Sequence, residues 1–135
     1  MKNLLLFGFL LIGLLAAGCS DDDDDDDHDH DEVTIEFLEP TDGATVAAAD
    51  EVHIHIRVTA EEEVHDLEIK MHPEGDESDL IIDFDAHSHE STFDFEEDYD
   101  LSSYPAGTEF HIDVRVAKDH EATEFEIEDI HFQIP

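Results

Sequence analysis

Phe84-Asp85-Ala86-His87-Ser88-His89-Glu90 sets two imidazoles two residues apart among carboxylates. In an extended chain, residues i and i+2 lie on one side, about 6.5 Å apart along the strand. Two such rings can converge on one divalent ion at about 2 Å per Zn–N bond. Asp85 is in phase with both; it would be a third ligand or would orient an imidazole from outside the coordination sphere. His53-x-His55 is a second pair, on the outward face of a run whose apolar neighbours fix its phase. Imidazole with carboxylate suits Zn²⁺, Cu²⁺ or Ni²⁺ better than Ca²⁺ or Mg²⁺. His87, His89 and Asp85 are therefore the first expected ligands, and His53 and His55 the second. The two pairs would be near each other, or would form two half-sites.

Other histidines follow the same logic. His72, His111 and His131 are outward by phase, and His111 and His131 lie on runs expected to pair, so they would meet across a sheet. His65 precedes its run in the inward phase and should be half-buried. His120 sits in a loop. The competing reading is electrostatic. The chain has 135 residues, 40 acids, 5 Lys and Arg, 11 His and a formal charge of −35. Nearby carboxylates favour the protonated imidazole, so histidines would serve as part-time cations where Lys and Arg are scarce.

That charge excludes whole classes of function. Free nucleic acid and anionic lipid surfaces need Lys and Arg to meet phosphate. Basic protein patches, neutral surfaces and cations are the partners that fit. With so many acids, some carboxylate pair falls at any separation, so a glycosidase-like pair cannot be read from the sequence. The chain has no Gly-x-Ser-x-Gly, no phosphate-cradling glycine loop and no Trp platform. A non-enzymatic role is the expectation.

The elements that must hold these side chains are strands. Val33–Phe37, Val52–Val58, Leu67–Met71, Leu80–Phe84, Thr92–Phe95, Phe110–Val116 and Glu124–Ile134 are short apolar runs, most of them alternating apolar and polar residues. Turn signals separate them, such as Pro40-Thr41-Asp42-Gly43 and Pro105-Ala106-Gly107. The last run changes phase from Phe125/Ile127 to Ile130/Phe132/Ile134, which predicts a bulge near Asp129. About seven strands over residues 33–135 predict a single antiparallel β-sandwich of immunoglobulin-like or fibronectin-III-like type. Tyr104, ahead of the Phe110 strand, fits a structural corner tyrosine. Crowded surface acids predict a stability that rises with salt, most of all with divalent cations.

The N-terminal quarter has a different character. Met1-Lys2-Asn3 is followed by an apolar run from Leu4 to Leu15, then Ala16-Ala17-Gly18-Cys19. Residues 1–18 read as a signal peptide, and the small-small-Cys ending resembles a bacterial lipobox. That resemblance implies an acylated Cys19 as the first mature residue, anchored in lipid by several chains. Residues 19–32 hold seven consecutive aspartates from Asp21 and read as a disordered tether. Ser20 and the acids after it resemble the export signal of Bacteroidota surface lipoproteins. The Phe84–His89 segment and the Pro40–Gly43 opening resemble an uncharacterised family of such lipoproteins with an immunoglobulin-like domain. The resemblance implies an outer-membrane lipoprotein, facing the cell exterior or, alternatively, the periplasm. The expected function is capture of a divalent transition metal and hand-over to an outer-membrane receptor. The alternative is an adhesive or accessory module that binds protein or polysaccharide.

Overall fold

Val52 to Thr59 alternates buried and half-buried residues without a break, because Val52, Ile54, Ile56 and Val58 face inward while His53, His55 and Arg57 face out. The same period recurs over Glu109–Ala117 of the computed structural model, which describes residues 32–135. The expected signal peptide, lipidated Cys19 and all but the last residue of the acidic tether lie outside the described residues. Eight strands form: β1 (Val33–Glu39), β2 (Ala44–Thr45), β3 (Val52–Ala60), β4 (Asp66–Pro73), β5 (Ile82–His87), β6 (Thr92–Tyr99), β7 (Glu109–Ala117) and β8 (Phe125–Gln133).

They make two sheets, β1-β3-β6 and β2-β8-β7-β4-β5. The fold is the expected all-β sandwich, with three strands facing five in an immunoglobulin-like order. Every pairing is antiparallel except β2 with β8. The short β2 comes from the Pro40–Gly43 turn: Gly43 donates to the His131 carbonyl (2.7 Å) and Asp42 accepts from the His131 amide (3.0 Å). Gly43 has φ +72°, a conformation that favours glycine there.

Between the sheets, Ile54, Ile56, Ile69, Met71, Phe110, Ile112, Val114 and Phe132 form a dry core. Tyr104 packs edge-on to Phe110 and donates its hydroxyl to Asp79 (2.8 Å). No helix among the described residues is long and apolar enough to cross a membrane.

Two expectations need correction. The β7–β8 register is continuous through Asp113↔Asp129, so no bulge interrupts it. Ile127 instead faces outward and is 61 % exposed, and Phe125 lies under the Arg115 guanidinium, 3.5 Å from the ring centre. The irregularity falls on β1 between Phe37 and Glu39. In addition, Leu80 lies before β5 rather than in it, and β5 continues to His87.

Candidate metal sites

The inward phase of Met71, Ile112 and Phe132 leaves their neighbours His72, His111 and His131 on the outer face of the five-stranded sheet. Register then places the three side by side: His72 pairs with His111, and His111 with His131. The His72 and His111 rings meet edge to face at 5.2 Å, and His111 stacks on His131 at 4.3 Å, 6° from parallel. Asp113 stands two residues along β7 on the same face, opposite Asp129.

The donor atoms of His72, His111 and Asp113 lie within 4.8 Å of one another. His72 Nε2 is 3.5 Å from Asp113 Oδ2, and His111 Nε2 is 3.5 Å from Asp113 Oδ1. Two ligands of a tetrahedral zinc ion, each about 2.05 Å from the metal, sit about 3.3 Å apart. The spacing is thus close to that of a coordination edge.

His72 is the best prepared of the set. The chain after β4 turns back over it, the Ile81 amide donating to the Met71 carbonyl (2.8 Å), and only 6 % of His72 stays exposed. A surface depression of about 430 Å³ lies over it, lined by Lys70, His72, Glu77, Leu80, His111 and Asp113. His72 Nδ1 donates to the Pro73 carbonyl (3.0 Å). That bond orients the ring and turns Nε2 toward Asp113, as the carbonyl partner of a metal-binding imidazole does. His111 Nε2 also meets Asp129 Oδ2 (3.0 Å), so a second carboxylate is at hand. Beyond it, His131 Nε2 meets Glu74 Oε2 at 3.2 Å, and Glu74, His111 and His131 form a further group.

A second gathering stands where three loops meet, at the other end of the same sheet. Glu63 Oε1 faces His120 Nε2 (3.1 Å) and His65 Nδ1 (3.8 Å), while Glu63 Oε2 faces His89 Nδ1 (3.3 Å). His65 is fully buried rather than half-buried, with its ring 4.1 Å from that of His120. The β7–β8 loop is shaped by Asp119, which accepts from the Thr123 amide (2.9 Å), the Glu124 amide (3.1 Å) and the Thr123 hydroxyl. Those bonds, the hydroxyl foremost, lower the Asp119 carboxyl to about 2.

The third group lies on the outer face of the three-stranded sheet. His53, His55 and Glu96 offer donors within 4.8 Å of one another. His53 Nδ1 meets Asp98 Oδ1 (2.8 Å), and this bond, more than any other influence, raises the His53 pKa above its ordinary value. Asp94 accepts from Arg57 (2.8 Å) and faces His55 Nε2 (3.2 Å); both hold its carboxyl below the usual range, Arg57 most.

The expected ligands are therefore partly brought together. The His87 and His89 rings touch, with centroids 4.7 Å apart. The carboxylate bonded to His87 is Asp66 (2.7 Å), across the ladder, while Asp85 pairs with Glu68. His87, His89 and Asp85, the first expected ligands, belong to none of the three-donor groups found among the described residues, whereas His53 and His55 share one with Glu96. The two His-x-His pairs do not converge. His53 and His55 stand opposite Asp98 and Glu96, whereas the β5–β6 loop with His89 enters β6 at Thr92, opposite Thr59. Sequence reasoning named neither His72 nor Asp113 as ligands, nor the Glu63 loop group. Alternation did put His72, His111 and Asp113 outward; the strand register was the absent information.

No protein-family model matches the chain, and no curated protein matches its sequence. Among solved structures the chain is similar to wild-type OgpA from Akkermansia muciniphila, at 14 % identity and a TM-score of 0.46. The match covers 76 % of this chain and 27 % of that one, so the chain spans about a quarter of that protein's length.

Proposed function

We infer that the protein is a non-enzymatic binder of a divalent transition metal, Zn²⁺, Cu²⁺ or Ni²⁺, carried on a lipid anchor at Cys19. The observation that carries this reading is His72. A surface histidine that only balanced acids would have no need to be buried, with one ring nitrogen held by a backbone carbonyl and the other turned to a carboxylate shared with a second imidazole. All nine described histidines also fall into groups in which an imidazole faces a carboxylate, rather than standing apart. The strand-face site is open above Asp113, which suits capture and release better than permanent storage. Hand-over to an outer-membrane receptor follows as its use. The Cys19 lipobox and the acidic run after it support a surface lipoprotein.

The test is titration of Zn²⁺ and Cu²⁺ into the chain in excess Ca²⁺, which occupies carboxylate-only sites such as the aspartate run. The expected result is saturable binding at micromolar or tighter concentrations. His111→Ala and Asp113→Asn should each weaken one equivalent by at least tenfold, on the order seen when a metal site loses a supporting group. Unchanged binding in both variants overturns the assignment of the site. Radiolabelled palmitate should enter the chain and be lost with Cys19→Ala; no labelling of the parent chain overturns the anchor.

A further inference from the structure

We propose that Glu63, His65 and His120 form a second transition-metal site whose occupation latches the β7–β8 loop onto the β3–β4 loop. This rests on the reading of the chain as a metal binder but uses no residue of the strand-face site. Its donors come from two connections that are 55 residues apart in sequence, residues 61–65 and 118–124, and lie within 4.8 Å of one another. The His120–Glu63 spacing of 3.1 Å again approaches the edge of a tetrahedral site, about 3.3 Å for ligands near 2.05 Å from the metal.

The members differ in exposure, which gives the site its action. Glu63 and His65 are held by the body of the sandwich. His65 is buried, and Val64 between them donates to the Glu90 carbonyl (2.8 Å), tying the β3–β4 loop to the β5–β6 loop. His89 of that latter loop faces the other Glu63 oxygen, so it orients the carboxylate without using the oxygen nearest His120. His120 is 69 % exposed at its side chain and rides on a loop whose shape is set by the Asp119 bonds. Without a metal, the His120–Glu63 contact is an exposed pair of small worth. With one, two coordinate bonds replace it and the loop is fixed to the core.

The latch has a second consequence for the surface. Ala122 of the β7–β8 loop lines a depression of about 510 Å³ with Asp66, Glu68, Asp85, His87, Arg115 and Phe125, so fixing the loop fixes one wall of that depression.

Amide hydrogen exchange on the full chain tests the proposal, with Zn²⁺ as the probe and excess Ca²⁺ throughout. Zn²⁺ should slow exchange of residues 119–124 by tenfold or more. His120→Ala, at an exposed position that leaves the core intact, should abolish this slowing while the strand-face equivalent remains. His111→Ala should do the reverse. No slowing in the parent chain, or slowing that persists in His120→Ala, overturns the latch. Slowing that is kept while His111→Ala and Asp113→Asn change no binding overturns the strand-face site alone. Loss of all saturable binding in the parent chain overturns both.

Discussion

His72 Nε2 lies 3.5 Å from Asp113 Oδ2, across a strand pair in which His72 faces His111 directly. Both imidazoles must be neutral to bind a metal, so protons compete with it. Zn²⁺ affinity should be lower at pH 5.5 than at pH 7.5 by at least tenfold, because two ring nitrogens must lose protons to bind. Competition titrations at pH 7.5 and 5.5 measure this. A nearly flat profile would mean that carboxylates alone hold the ion.

His53 offers a pH test independent of any metal. Its pKa is raised in the fold by Asp98, so folding favours the protonated ring. The stability this contributes is fully present below the unfolded value near 6.5 and is lost as pH rises through the higher folded value. His53→Gln should therefore melt below the parent chain at pH 6 and together with it at alkaline pH. A gap that widens as pH rises contradicts the pairing.

Asp119 behaves with the opposite sign. Its carboxyl is lowered to about 2, so its contribution is present above about pH 4 and is lost on acidification toward 2. The same loop carries Ala122 at φ +51°, a left-handed conformation that costs an alanine about 1 kcal/mol. Ala122→Gly should leave stability unchanged or raise it by up to about 1 kcal/mol. Ala122→Val should lower it by more than that, because a branched Cβ is poorly tolerated there. Urea unfolding of the two variants decides the matter.

The acid shell predicts a salt response. With a formal charge of −35, raising ionic strength from 0.01 to 0.15 M shortens the screening length from about 30 to about 8 Å and should raise the melting temperature. Zn²⁺ at micromolar concentration should add a further rise in the parent chain that shrinks in His111→Ala. A melting temperature indifferent to NaCl would mean that the surface carboxylates are already compensated.

Ile112 and Ile127 test the register. Ile112 is wholly buried and Ile127 is 61 % exposed. Ile112→Ala should cost about 2–5 kcal/mol. Ile127→Ala should stay within about 0.5 kcal/mol. A bulge near Asp129 would instead have turned Ile127 inward and made both changes costly.

That last pair also marks where sequence reading succeeds and stops. Alternation from Val52 to Val58 and from Phe110 to Val116 was enough to place strands, faces and core, because one buried face dictates the phase. The final strand broke the rule that apolar residues point inward. Phe125 is covered by Arg115 from outside, and inward-phase Glu126 meets the Lys118 ammonium at 3.0 Å, so the ladder stays straight. Nothing within the final strand announces those two partners, which come from β7 and the turn after it. The sites divide likewise. The His87–His89 contact is local and legible. The His72–His111–His131 row depends on how three strands align, and the His65–His120 contact on how two distant loops meet.

β1 opens at Val33, paired with Ala60, and runs away from it. The chain therefore enters the sandwich at the same pole as the Glu63 loops, while β4 and β8 carry His72 and His131 to the opposite pole. The tether proposed from Cys19 would therefore join the domain beside the Glu63 loops and leave the strand-face imidazoles at the pole away from that attachment, clear of the acidic run.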